Sequence, residues 1–125
     1  MRSGVRPAAT SFRDLVVWRK AHESVLAVYA LTAGFPKQET YGLALQMRRA
    51  AVSIPANIAE GFRRRGRVDK ARFMNIAEGS LDECGYYLVL VQDLGYGETG
   101  RMAISLDEVR RLLRAYTAAL LTARS

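Results

Sequence analysis

At 125 residues the chain fits one domain of about 100–150 residues and leaves no room for a second independently folded one. Half of its residues (50%) are apolar and 25% are charged, which excludes an intrinsically disordered chain. Lys and Arg number 19 against 12 Asp and Glu, and the resulting net charge of +7 favours an anionic partner, nucleic acid ahead of a membrane surface.

Residues 1–10 are expected to form a disordered tail, with residues 11–125 forming the folded unit. Beyond the tail, apolar residues recur at spacings of three and four, with no sustained alternation and no hairpin signal. The first helix is expected from about Asp14 to Ala33. Asp14 in its first turn suits the helix dipole, and Leu15, Trp18, Ala21, Val25, Val28 and Thr32 form its apolar stripe. Gly34-Phe35-Pro36 should end it, with glycine in a left-handed cap and proline unable to continue.

A second helix is expected to open near Pro36-Lys37-Gln38-Glu39, with Leu43, Met47, Ala50, Ile54, Ile58 and Phe62 on one stripe and Arg48 and Arg63 pointing away from it. Pro55 removes one backbone donor and crowds the preceding turn. Because Ile58 and Phe62 keep the phase, the stretch reads as one kinked helix, with a break near Ser53 as the alternative. The third helix should run from about Val68 to Leu94, with a seam of Met74, Ala77, Leu81, Cys84, Leu88 and Val91. Gly79 and Gly85 inside it suggest close helix approach. The last helix is expected to begin at a capping box, Ser105-Leu106-Asp107-Glu108, ahead of Val109, Leu113, Tyr116 and Leu120. The fold class is therefore all-α, an antiparallel up-down-up-down four-helix bundle.

The charge is concentrated. Between Leu43 and Met74 lie Arg48, Arg49, Arg63, Arg64, Arg65, Arg67, Lys70 and Arg72, opposed only by Glu60 and Asp69, so this quarter of the chain carries +6 of the +7. These eight residues are the candidate phosphate contacts, and arginine suits that role because its fork donates two hydrogen bonds at once.

Sites for other chemistry are not apparent. His22 is the only histidine and lacks a glutamate three residues before it, so no di-metal pattern exists. No phosphate loop, dinucleotide fingerprint or catalytic triad is recognisable, and no cofactor is expected. Glu78, Asp82 and Glu83 read as carboxylates that are solvated or bonded to arginines. Cys84, the only cysteine, falls on the seam and reads as a small buried hydrophobe; with no disulfide to form, a cytoplasmic location is expected. Met1–Ser11 carries no apolar core of a secretory signal, and the longest uncharged run, Ser24–Pro36, is far short of the roughly 20 residues that cross a bilayer.

One stretch is more specific. Gln46-Met47-Arg48-Arg49-Ala50-Ala51-Val52-Ser53-Ile54-Pro55-Ala56-Asn57-Ile58-Ala59-Glu60-Gly61 closely resembles the signature of the 23S rRNA intervening-sequence protein family. Phe12-Arg13-Asp14-Leu15 with Trp18, Phe35-Pro36 with Glu39-Thr40-Tyr41-Gly42-Leu43, and Phe73 with Ile76-Ala77-Glu78-Gly79-Ser80-Leu81 follow the family's order. Ser53, Pro55, Asn57, Glu60 and Gly79 are its structural motif here. Within the motif, Asn57 is placed to satisfy a carbonyl freed by Pro55, and Glu60 to pair with Arg63 or Arg64. The run Arg63-Arg64-Arg65 is more basic than the commoner family form.

The resemblance implies a four-helix bundle that assembles as a ring, typically a homopentamer. It also implies kinship with accessory variability proteins of diversity-generating retroelements, which work with a reverse transcriptase and nucleic acid. The expected function is thus a non-enzymatic oligomer binding RNA or single-stranded DNA through its Arg-rich region, with a partner protein such as a reverse transcriptase. A protein-interaction scaffold docking an acidic partner is the alternative.

Overall fold

A computed structural model describes residues 8–122, and among them it forms four α-helices and no strand. The helices are α1 (Val16–Ala33), α2 (Leu43–Arg63), α3 (Arg67–Leu94) and α4 (Gly100–Thr122), preceded by short 3-10 turns at Phe12–Asp14 and Lys37–Glu39. Helix α1 packs on α2 and α4, and α3 packs on the same two, so the four close around one core. Residues 1–7 of the expected tail lie outside the described residues.

The core draws on every helix. Val28 of α1, Met47, Ile54 and Ile58 of α2, Met74, Leu81, Cys84 and Val91 of α3, and Val109 and Leu113 of α4 are fully buried. Each of the larger side chains contributes about 1.5–3 kcal/mol by leaving water. All six seam residues of α3 are buried. Tyr87 and Phe73 are buried beside them, while Tyr86 and Ile76 stay exposed.

Helix α2 is one element through Pro55, which is itself buried, so the two-helix alternative does not hold. Asn57 Nδ2 donates to a carbonyl as expected, but to that of Ser53 (2.8 Å) and to Ser53 Oγ (2.9 Å). The carbonyl that Pro55 leaves without its usual donor is that of Ala51, four residues earlier.

The helix ends depart from the expected ones. Asp14 does not start α1. It closes a capping box with Ser11 around the 3-10 turn, where the backbone N–H groups of Thr10 and Ser11 hold its carboxyl below the ordinary carboxylate value. Gly34 is not left-handed (φ −90°); the left-handed glycine is Gly95 (φ 73°), whose cap returns the Tyr96 N–H to the Val91 carbonyl at 2.9 Å. Pro36 caps and Glu39 ends a 3-10 turn rather than opening α2. Glu39 instead caps α2 from outside: Oε1 accepts the Leu43 N–H at 3.1 Å and Oε2 accepts the Tyr96 hydroxyl at 2.9 Å.

Two further expectations fail on packing. Ser105 lies inside α4, which starts five residues earlier because Thr99 accepts the Ala103 N–H (2.9 Å) and Met102 buries against the core. Gly79 and Gly85 have nothing near the place a Cβ would occupy. The close approach is at Gly61, where a Cβ would collide with Met74 and sit 2.8 Å from Phe73 Cβ. Absence of a side chain at Gly61 lets the end of α2 press on the start of α3 and fixes the turn that carries the arginines.

Candidate nucleic-acid interface

Arg48 and Arg49 sit in the second turn of α2, while the other basic residues occupy its last turn, the 64–66 connection and the first turns of α3. Local packing divides them. Arg48 serves the bundle: its Nε donates to Thr32 Oγ1 at 2.7 Å and its guanidinium lies 4.5 Å from the Tyr29 ring centre, tying α2 to α1. Lys70 Nζ donates to the Phe62 carbonyl, covering the C-terminal end of α2. Arg64 and Arg72 sit 4.6 and 4.8 Å from the Phe73 ring centre. Arg64 also pairs with Glu60 at 3.1 Å, which settles the choice between Arg63 and Arg64, and Arg72 pairs with Asp69 at 2.9 Å.

Three arginines are not held in this way. Arg49, Arg63 and Arg65 are exposed and form no ion pair with any described residue. Arg67 is exposed at the start of α3. The candidates therefore include four held by the fold, Arg48, Arg64, Lys70 and Arg72, and three arginines without an ionic partner among the described residues, Arg49, Arg63 and Arg65, a distinction that charge counting does not make.

A second feature lies along the α2–α3 contact. Gln46, Arg49, Ser53, Asn57 and Glu60 recur at spacings of three and four, forming a polar stripe beside the apolar one. Ser80, Glu83 and Tyr87 meet it from α3. Ser80 Oγ donates to Ser53 Oγ (2.8 Å), and the Tyr87 hydroxyl lies 3.1 Å from both Gln46 Oε1 and Glu83 Oε2. Burial of the ring, then the neighbouring Glu83 carboxylate, pushes the Tyr87 phenol above its ordinary value. Sequence reasoning missed this assembly as a unit. Its signal was the regular polar spacing on α2 matched by serine, glutamate and tyrosine on α3.

Elsewhere the charges close on one another. Glu78 pairs with Arg114 (2.6 Å), Asp82 with Arg110 (2.5 Å), and Asp107 with Arg111. Cys84 is buried, and desolvation followed by the nearby Glu83 charge pushes its thiol up to about 12. His22 stacks on Trp18 with ring centres 5.1 Å apart. Among the described residues no group of His, Cys, Asp and Glu is placed to hold a metal ion, and no helix is long and apolar enough to cross a membrane.

Fold and surface together define a small all-α bundle with an arginine-rich connection between its second and third helices. The chain belongs to the 23S rRNA-intervening sequence protein family, whose model matches residues 13–118. It is also similar to the crystal structure of a protein of unknown function from the S23 ribosomal protein family of Bacteroides thetaiotaomicron VPI-5482. That likeness has a TM-score of 0.76 at 25% identity and covers 82% of this chain and 98% of the other. No curated protein matches the chain.

Proposed function

We propose that this protein is a non-enzymatic, self-associating helix bundle that binds RNA or single-stranded DNA through the α2–α3 connection. The observation that carries this reading is the exposure of Arg63 and Arg65, without ionic partners among the described residues, inside a segment of net charge +6. Unpaired guanidiniums attract phosphates over a distance and release counterions on contact. Exposed apolar side chains, among them Val68, Tyr86 and Ile104, offer surface for assembly into a ring, the homopentamer that the family resemblance implies. A ring would repeat the patch about its axis and raise avidity without new contacts.

Gel-shift titration with single-stranded DNA and structured RNA across a salt series tests the reading. Binding should weaken steeply with salt, and each of Arg63→Ala and Arg65→Ala should lower the log–log slope by about one. Absence of any shift at low salt, or unchanged binding in the double variant, would refute it. Recovery of one stoichiometric acidic protein that survives nuclease treatment would put the scaffold reading in its place. Light scattering of the purified protein decides the assembly separately.

A further inference from the structure

The polar groove between α2 and α3 has no part in holding arginines to the bundle. Its volume is about 330 Å³, within the range of small-ligand clefts, and its walls include Tyr41, Gln46, Arg49, Ser53, Glu83 and Tyr87. Three properties set it apart from an ordinary helix–helix boundary. Arg49 and Glu83 line the same groove yet do not close on each other, although nearby pairs such as Glu78–Arg114 and Asp82–Arg110 do. The Tyr87 hydroxyl, whose one proton is shared between Glu83 Oε2 and Gln46 Oε1 at 3.1 Å each, contacts one Glu83 oxygen and leaves the other unengaged. Tyr41, at the edge, is 88% exposed, an aromatic ring with nothing to cover it.

A ligand that satisfies this arrangement presents paired donors to a carboxylate and acceptors to a guanidinium, on a flat body that stacks on a phenol ring. An unpaired guanine does so. Its imino N–H and exocyclic amino group lie side by side for Glu83, its carbonyl oxygen and ring nitrogen N7 accept an arginine fork, and its face stacks on an aromatic. Adenine offers no imino donor, and uracil and cytosine offer no side-by-side donor pair.

The geometry points to this groove as a pocket for a splayed guanine base, with Glu83 and Arg49 reading its edge, Tyr87 positioning Glu83, and Tyr41 stacking. The inference rests on the single-strand reading above and gives it a base preference. Arg49 and Arg63 are fourteen positions apart on α2, about 21 Å along the axis at the helical rise. One strand can thus place phosphates on the basic connection while a base enters the groove.

The test is an NMR titration of the full chain with guanosine, inosine and adenosine monophosphates, which needs no strand. Guanosine monophosphate should shift the amides of Arg49, Ser53, Glu83 and Tyr87 and bind about tenfold more tightly than adenosine monophosphate. Inosine monophosphate, which lacks the exocyclic amine, should bind several-fold more weakly than guanosine monophosphate, and Glu83→Gln should erase that difference because an amide presents a donor where the carboxylate accepted. An analogue with carbon in place of N7 should lose affinity in the wild type and not in Arg49→Ala. Equal affinities for the three nucleotides, or a guanosine preference that Glu83→Gln leaves intact, would overturn the pocket. Strand gel shifts then separate the two ideas: salt-dependent binding blind to base identity sinks the pocket and keeps the basic patch, whereas no strand binding at all sinks the patch.

Discussion

Toward α4, helix α3 presents Glu78 and Asp82 to Arg114 and Arg110, and each carboxylate closes on its guanidinium; toward α2, it presents Glu83 to a groove that also holds Arg49, and the two stay apart. The same residue types, on opposite flanks of one helix, yield a neutralised surface on one side and an open one on the other. What separates them is register. A pair closes when cross-helix positions face each other within side-chain reach, and the α2–α3 register places hydroxyl and amide groups opposite one another instead. Net charge therefore says little about which arginines are free to meet a ligand.

The largest effect is expected where the α2 and α3 backbones approach. Gly61→Ala should destabilise the protein by about 1–3 kcal/mol in urea denaturation, because the new methyl group meets Phe73 and Met74. Gly79→Ala, with open space around it, should stabilise by about 0.5–1 kcal/mol. Equal effects would mean that α2 and α3 do not approach at Gly61. Ser53→Ala comes next. It removes the group that meets both Asn57 and Ser80, and a loss of about 1–2 kcal/mol is expected in the same assay.

The charged flanks should respond less. Arg114→Ala should leave the urea midpoint close to that of the wild type, since the side chain is 65% exposed and its pair with Glu78 is screened. Arg65→Ala should leave stability within about 0.5 kcal/mol while weakening strand binding. A large stability loss at Arg65 would show that the connection is structural rather than presented.

pH sharpens the contrast further. The Tyr87 phenol titrates above its ordinary value of 10.0, so folding favours its protonated form. The stability it contributes is whole below that value and is lost as pH rises through the higher folded pKa. Alkaline denaturation profiles of wild type and Tyr87→Phe should diverge above pH 10 for this reason, with the variant showing the weaker pH dependence. The buried Cys84 thiol should react with a thiol reagent at the rate of unfolding and no faster.

Legibility followed the range of the cause. The α3 seam was readable because burial on a helix repeats locally, and all six of its positions are in the core. Segment ends were less readable. Ser105 satisfies a capping pattern, yet α4 begins at Gly100 because burial of Met102 and bonding at Thr99 outweigh a local cap. The candidate site was half readable. The +6 segment is visible by counting, but which arginines it presents depends on Phe73, Asp69, Thr32 and Tyr29, and two of these lie on α1.

By itself, the sequence determined an all-α chain of four helices, the family signature and the place where positive charge collects. Each of these is written in spacing or composition along the chain. Tertiary structure alone decided that Gly61, not Gly79, is where helices meet, that Arg48 braces α1 while Arg63 and Arg65 face outward, and that Arg49 and Glu83 share a groove without pairing. These depend on which residues of different helices stand opposite one another, and no periodicity within a single helix specifies that register.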